Sequence, residues 1–263
     1  MGRLVDLLLA NACDPKPGSP LAVDDAGYRW EKLSEWTLGS LKASRDHLLL
    51  WANIVTPLEV ADDAAVENPA RPYFTVARAA LESASQAMWV LAPSESAERV
   101  ARHLRLLSGD LAEQEKALRS SGDVDGAAAA SERRASIPGR SGVESVPAPP
   151  SFLSMVRAAA TDLGQNPDDA EFLWRLCSSA THGKNWFMPQ SHIGVVGPEY
   201  EPGYFRALWV PSAKEVGDAM GMAATFSVAA TTVYLAGLGV DVAASRDSAI
   251  ERLRELVPKR PPA

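Results

Sequence analysis

The stretch from Arg175 to Trp186, RLCSSATHGKNW, carries an arginine, two serines and a histidine at helical spacing. Arg175 and His182 are seven residues apart, nearly two helical turns, so both project from one face about 10 Å apart along the axis. Ser178 and Ser179 fall between them at i+3 and i+4 from the arginine, and Ser178 stands four residues before His182. Arginine holds phosphate oxygens through paired, charge-assisted hydrogen bonds. Histidine takes up and returns protons near neutral pH. The stripe therefore suits gripping a phosphate and moving a proton beside it. The same side chains also suit a plainer task, in which Arg175 and His182 satisfy a helix end, pair with acids and steady the next loop.

A second polar pair stands earlier in the chain. Arg78 and Glu82 lie four residues apart in a segment that is otherwise apolar, including Val76, Ala79, Ala80, Leu81, Ala84 and Met88. Two readings are open: a local ion pair that satisfies itself, or the floor of the pocket that holds His182. Trp186, Phe187, Tyr200, Tyr204, Phe205 and Trp209 crowd the stretch after His182. Such aromatics stack on bases, cover a core or form a dimer patch. His47 and His103 sit in charged helical surroundings and are expected at the surface. Cys177, His182 and His192 match no zinc-ligand spacing, and CxxC and HExxH motifs are missing from the sequence. So are a G-x-S-x-G elbow and a glycine-rich phosphate loop, and neither metal nor cofactor is expected.

The elements that must position these residues are mostly helical. The 263 residues are 46% hydrophobic and 22% charged, as in a soluble globular chain, and are expected to form one domain over 1–263. A net charge of −7 argues against general coating of nucleic acid and leaves room only for a local basic site. Two cysteines without a CxxC, Cys13 and Cys177, fit a reducing, cytoplasmic setting. Asp6 interrupts the first apolar run, so the opening reads as a short amphipathic helix in an N-terminal extension, 1–27, rather than a signal peptide.

Leu33, Trp36, Leu41, Leu48, Trp51 and Val55 mark an apolar stripe within a helix expected over 28–60. Further helices are expected from Pro72 to Pro93, from Ser94 to about 120, from Ser151, and from Pro167 to a stop at Gly183. Residues 120–151, rich in Gly, Ala, Ser and Pro, read as a flexible linker with one or two helical turns around Ala127–Ala135. A loop-rich excursion follows the fifth helix, with short extended pieces at HIGVV and FRALWV. The stretch Ala219–Val240 carries no charge, but its small residues and flanking Asp218 and Asp241 predict a buried core helix rather than a membrane span. A charged helix and a Pro-Lys-Arg-Pro-Pro tail close the chain.

The Arg175-x6-His182 spacing resembles the signature of HEPN (higher eukaryote and prokaryote nucleotide-binding) domains. The pairing of Arg78-x-x-Leu81-Glu82 with Ser178-x-x-x-His182 resembles HEPN-like bacterial proteins, over about residues 73–183. The resemblance implies an all-α HEPN-like helical bundle that works as a homodimer. It also implies a metal-independent endoribonuclease or nucleotide-engaging protein of a defence or stress system, using the RNA 2′-hydroxyl as nucleophile. Arg175 would hold phosphate, His182 would move the proton and Ser178 would orient it, with Arg78, Glu82 and Ser179 in support. One departure is Leu176, where active nucleases often carry a polar residue. Read without the resemblance, the chain also fits a non-catalytic helical interaction or scaffold protein, with Arg175 and His182 structural.

Overall fold

The apolar segment around Arg78 becomes the central helix. In the computed structural model, which describes residues 1–57 and 70–256, it is α4 (Ala70–Leu91). Around it pack α3 (Leu33–Val55), α7 (Phe152–Asp162), α8 (Pro167–Thr181) and α10 (Ala213–Gly237). Ala77, Ala80, Ala84 and Ala87 are buried on α4, and their small size lets neighbouring backbones approach closely. The uncharged stretch forms α10, which packs along α4 with Ala223, Phe226, Ala230 and Leu235 buried. By length and composition α10 could cross a membrane, but 56% of its apolar window is buried inside this bundle. In the dry centre, Ser44 Oγ lies 2.9 Å from the Ala80 carbonyl oxygen and 2.6 Å from Ser227 Oγ, joining α3, α4 and α10.

The protein is all-α apart from one small sheet, with eleven helices among the described residues. The remaining helices are α1 (Gly2–Leu9), α2 (Pro20–Gly27), α5 (Ser96–Ser121), α6 (Val124–Ser141), α9 (Phe187–Ser191) and α11 (Val242–Leu256). The sheet is an antiparallel pair, β1 (His192–Glu201) and β2 (Tyr204–Pro211). It occupies the loop-rich excursion expected after the helix that ends at Gly183. The helix expected over 28–60 starts at Leu33, and its residues 58–60 lie outside the described residues, as does the Pro-Lys-Arg-Pro-Pro tail.

Three expectations are corrected. Residues 120–151 are not mainly a linker, because α5 runs to Ser121 and α6 folds back against it. Gly122 closes α5 at φ 84°, a left-handed conformation that glycine adopts without strain, and Asp123 caps α6 by accepting from the Gly126 amide. Glycines read as linker residues are thus helix punctuation, and the alanines between them are good helix formers. Ile137 of α6 joins Tyr28, Leu104, Leu107 and Leu111 in a small second core.

Residues 1–27 are not an appendage either. Val5, Leu8 and Leu21 are buried in the main core. Gly2 lets α1 touch α3, since a Cβ there would stand 2.6 Å from the Leu48 carbonyl oxygen. Asp24, fully buried, receives two hydrogen bonds from Arg99 of α5, at 2.6 and 2.9 Å.

His103 is buried, not exposed. Its Nε2 lies 2.8 Å from the Glu31 carbonyl oxygen, so Nε2 carries the proton. Burial pushes the ring's pKa below its ordinary value, against the partial support of that hydrogen bond.

Candidate functional site

Local rules place His182 at a helix end. Asn166 caps α8 by accepting from the Asp168 amide, Pro167 occupies the first turn, and Asp168 and Asp169 complement the helix dipole. At the far end Gly183 adopts φ 65°. The Lys184 amide donates to the Ser179 carbonyl at 2.9 Å and the Gly183 amide to the Ala180 carbonyl at 3.3 Å. These two bonds are the Schellman pattern, and they leave His182 exposed on the last turn.

His182 meets α4 there. Arg78 Nη1 lies 3.2 Å from His182 Nε2. A guanidinium only donates, so Nε2 accepts and the ring's proton sits on Nδ1. Arg78 is itself held: its Nε donates to Glu82 Oε1 at 2.9 Å, and its guanidinium lies over the Trp174 ring, 5.3 Å from the centroid. Trp174 Nε1 donates to the same Glu82 oxygen at 2.8 Å. Glu82, Arg78, His182 and Trp174 therefore form one connected network between α4 and α8. The side chains of Arg78 and Glu82 are only 20% and 15% exposed, so their charges are largely removed from water.

Arg175 does not join that network. Its Nε donates back along α8 to Glu171 Oε1 at 2.7 Å, and Glu171 Oε2 receives Arg157 Nη1 at 2.6 Å. Arg175, then Arg157, holds the Glu171 carboxyl below its ordinary pKa through these hydrogen bonds. Arg175 and His182 nonetheless line one cleft, with Trp174, Ser178, Ser179, Lys184 and Trp186. Its volume is about 160 Å³. That is below the roughly 300–1,000 Å³ of pockets that enclose a drug-sized ligand. A phosphate-sized group fits, or a chain passing over the opening.

The serines divide. The Ser178 hydroxyl makes no hydrogen bond among the described residues, and only its carbonyl meets His182, accepting the backbone amide at 3.1 Å. Ser179 is buried and its hydroxyl donates to the Leu176 carbonyl at 2.7 Å, so it serves the helix rather than the ring. Cys177 is buried in the core, and burial pushes its thiol up to about 12, which leaves it unreactive at neutral pH. His192 packs against Phe187, with Nδ1 2.7 Å from Ser191 Oγ. Burial first, and the Arg71 charge second, lower its pKa. Among the described residues no three His, Cys, Asp or Glu side chains stand together as a metal site requires.

No family model, curated protein or solved structure matches the chain. The geometry alone carries the functional reading.

Three residues were not singled out as site residues in the sequence. Trp174 lies four and eight residues before Ser178 and His182, on their face, and that spacing was a usable signal. Arg71 stands seven residues before Arg78, the same face of α4, and it donates to the Ala180 carbonyl at 3.3 Å while covering Phe187. Lys184 had no signal beyond adjacency. Of the aromatics after His182, Trp186 lines the cleft and Phe187 is buried against Phe74. Tyr200, Tyr204, Phe205 and Trp209 belong to the hairpin instead.

Proposed function

We propose that the cleft at the end of α8 binds a phosphate of RNA or a nucleotide, and that His182 moves the proton in a metal-independent, HEPN-like cleavage. The contact between Arg78 and His182 supports this reading most directly, because it sets a locked cation against an exposed imidazole. Arg78 takes the place expected for Arg175 as the guanidinium beside the histidine. Arg175 and Lys184 add positive charge to the same cleft on a chain whose net charge is −7.

In the proposed step, a substrate phosphate oxygen draws Arg78 Nη1 away while Nε stays on Glu82. His182 Nε2, freed of its donor, accepts the 2′-hydroxyl proton. The 2′-oxygen attacks phosphorus, the P–O5′ bond breaks, and the leaving oxygen takes that proton back from the ring, giving a 2′,3′-cyclic phosphate and a 5′-hydroxyl. Arg78 steadies the charge that develops on the phosphate oxygens.

One observation favours a second reading. Arg175, Glu171 and Arg157 satisfy one another without any ligand. A non-catalytic helical interaction protein would use the Arg78–His182 contact to fasten the end of α8 to α4. The two readings part in one assay: cleavage of mixed RNA in EDTA by the wild type, His182→Ala and Arg78→Gln, each checked for folding by circular dichroism. The enzyme reading expects wild-type cleavage and a loss of about 100-fold or more in both folded variants. Absence of wild-type cleavage, together with destabilised variants, establishes the fastening role instead.

A further inference from the structure

A cavity of about 470 Å³ opens between the α1–α2 loop, α2, α3 and α10, and it shares no residue with the cleft at His182. That volume lies within the roughly 300–1,000 Å³ of pockets that hold small molecules. Its wall is acidic: Asp14, Asp25 and Glu35 stand there against one cation, Lys32. Lys32 Nζ lies 3.5 Å from Glu35 Oε1, an exposed pair of the kind that contributes little. Asp14 and Asp25 make no ion pair among the described residues. Asp25 is held by the first turn of α3, where its Oδ1 accepts the Ser34 amide at 3.0 Å and its Oδ2 the Ser34 hydroxyl at 2.6 Å. A carboxylate offers about four acceptor sites, so Asp25 keeps capacity for a further donor.

The phenol of Tyr234, on α10, adds a second and independent sign of a ligand. Its residue is only 2% exposed, yet its hydroxyl makes no hydrogen bond among the described residues. Buried tyrosine hydroxyls ordinarily find a partner. Burial raises the pKa of this one, and the negative groups that add to the rise, Asp25, Cys13, Glu35 and Asp14, all belong to the cavity wall. The hydroxyl therefore faces the cavity. At neutral pH it stays protonated, so its oxygen is a neutral acceptor beside fixed carboxylates.

These groups select a type of ligand. Among the described residues no three acidic, cysteine or histidine side chains converge as a metal ion requires, so the carboxylates ring the cavity rather than meet at a point. Their complement is a cation whose charges are spread along a chain. An ammonium group only donates, and here it finds carboxylate and phenol oxygens that only need a donor. Between the charges the wall is apolar, with Ala12, Pro15, Ala22 and Leu38 suited to methylene groups.

We propose that this cavity binds a linear aliphatic polyamine, its ammonium groups on Asp14, Asp25 and the Tyr234 oxygen and its methylenes on the apolar wall. Cys13, an exposed thiol in the same wall, is a built-in reporter of occupancy.

The test is titration calorimetry of the full chain with spermidine at constant ionic strength, alongside the rate at which the neutral reagent iodoacetamide alkylates Cys13. Saturable binding of one spermidine per chain is expected, with Cys13 alkylated several-fold more slowly at saturation. Tyr234→Phe removes a hydroxyl that has no partner in the fold, so its unfolding midpoint is expected to match the wild type while spermidine binds about tenfold or more weakly. Asp14→Asn, at an exposed loop position, is expected to weaken binding about two- to fivefold. Absence of saturable binding overturns the proposal, as does equal affinity in both variants. A destabilised Tyr234→Phe overturns it too, because the hydroxyl would then already be bonded within the fold. Equal protection of Cys13 by magnesium chloride at matched ionic strength reduces the effect to general screening and likewise overturns it.

Discussion

Replacing Glu82 by glutamine probes the centre of the candidate site. The glutamine retains an acceptor for Trp174 but loses the charge that faces Arg78. An exposed ion pair contributes about 0–1 kcal/mol, whereas stripping one partner from a buried pair costs about 3–5 kcal/mol. The side chains here are 15% and 20% exposed, nearer the buried limit, and Glu82 Oε1 also holds the Trp174 indole. Glu82→Gln is therefore expected to destabilise by about 2–3 kcal/mol. For a chain of this size that is a fall of roughly 5–10 °C in Tm. Arg78→Gln alone is expected to fall in the same range, and the double variant to be less destabilised than the sum, with a coupling of about 1–2 kcal/mol. Urea unfolding of the four proteins, followed by tryptophan fluorescence and circular dichroism, measures the cycle. A coupling below about 0.5 kcal/mol refutes the argument, for it would place the pair energetically at the surface.

Two other outcomes follow from buried groups. Cys13 is exposed and Cys177 is buried with its thiol pushed up to about 12, so the native protein should react with one equivalent of a thiol reagent and the unfolded protein with two. Rapid reaction of both in the native state would show that the core around Cys177 opens freely. His103, whose pKa is lowered by burial, binds its proton more weakly folded than unfolded. Its contribution to stability is complete above the unfolded value of 6.5 and is lost as pH falls below it, by up to about 1.4 kcal/mol per pH unit, until the folded ring titrates. Comparing unfolding at successive pH values for the wild type and His103→Gln isolates that slope, and equal slopes would contradict the assignment.

Much of the frame was legible in the sequence. Pro167 and Gly183 mark the ends of α8 by short-range rules that tertiary contacts did not override. The uncharged run from Ala219 reads correctly as a core helix, and HIGVV and FRALWV read correctly as extended pieces. The segment 124–141 read only as one or two helical turns inside a linker, because the Gly, Ser and Pro of 120–151 as a whole suggested flexibility, while what folds the full helix is burial of Ala127, Ala130 and Ile137. The site was half legible for a related reason. Helical spacing gives the face a side chain leaves from, not where a long side chain ends. Arg175 ends on Glu171, four residues back, and spacing to His182 contains no information about that competitor. The contact that does reach His182 spans 104 residues from Arg78, and only the packing of α8 on α4 creates it.

The hydroxyl pair at Ser44 and Ser227 has a consequence for how this bundle holds its alignment. α4 and α10 pack along each other and each buries several alanines, and a row of alanines looks much the same after a slide of one turn, about 5.4 Å. Apolar contact alone ranks such settings nearly equal. The serines do not, because one turn away Ser44 keeps the Ala80 carbonyl and Ser227 keeps the Ala223 carbonyl, but the contact between the two hydroxyls is lost, at about 0.5–1.5 kcal/mol. Two oxygen atoms thus act as a detent along the axis of a helix that carries no charge at its centre. The hairpin returns to the body at the start of α10, and Arg71 and Arg78 leave from the first and third turns of α4. The detent therefore also sets the distance between the root of the hairpin and the cleft at His182.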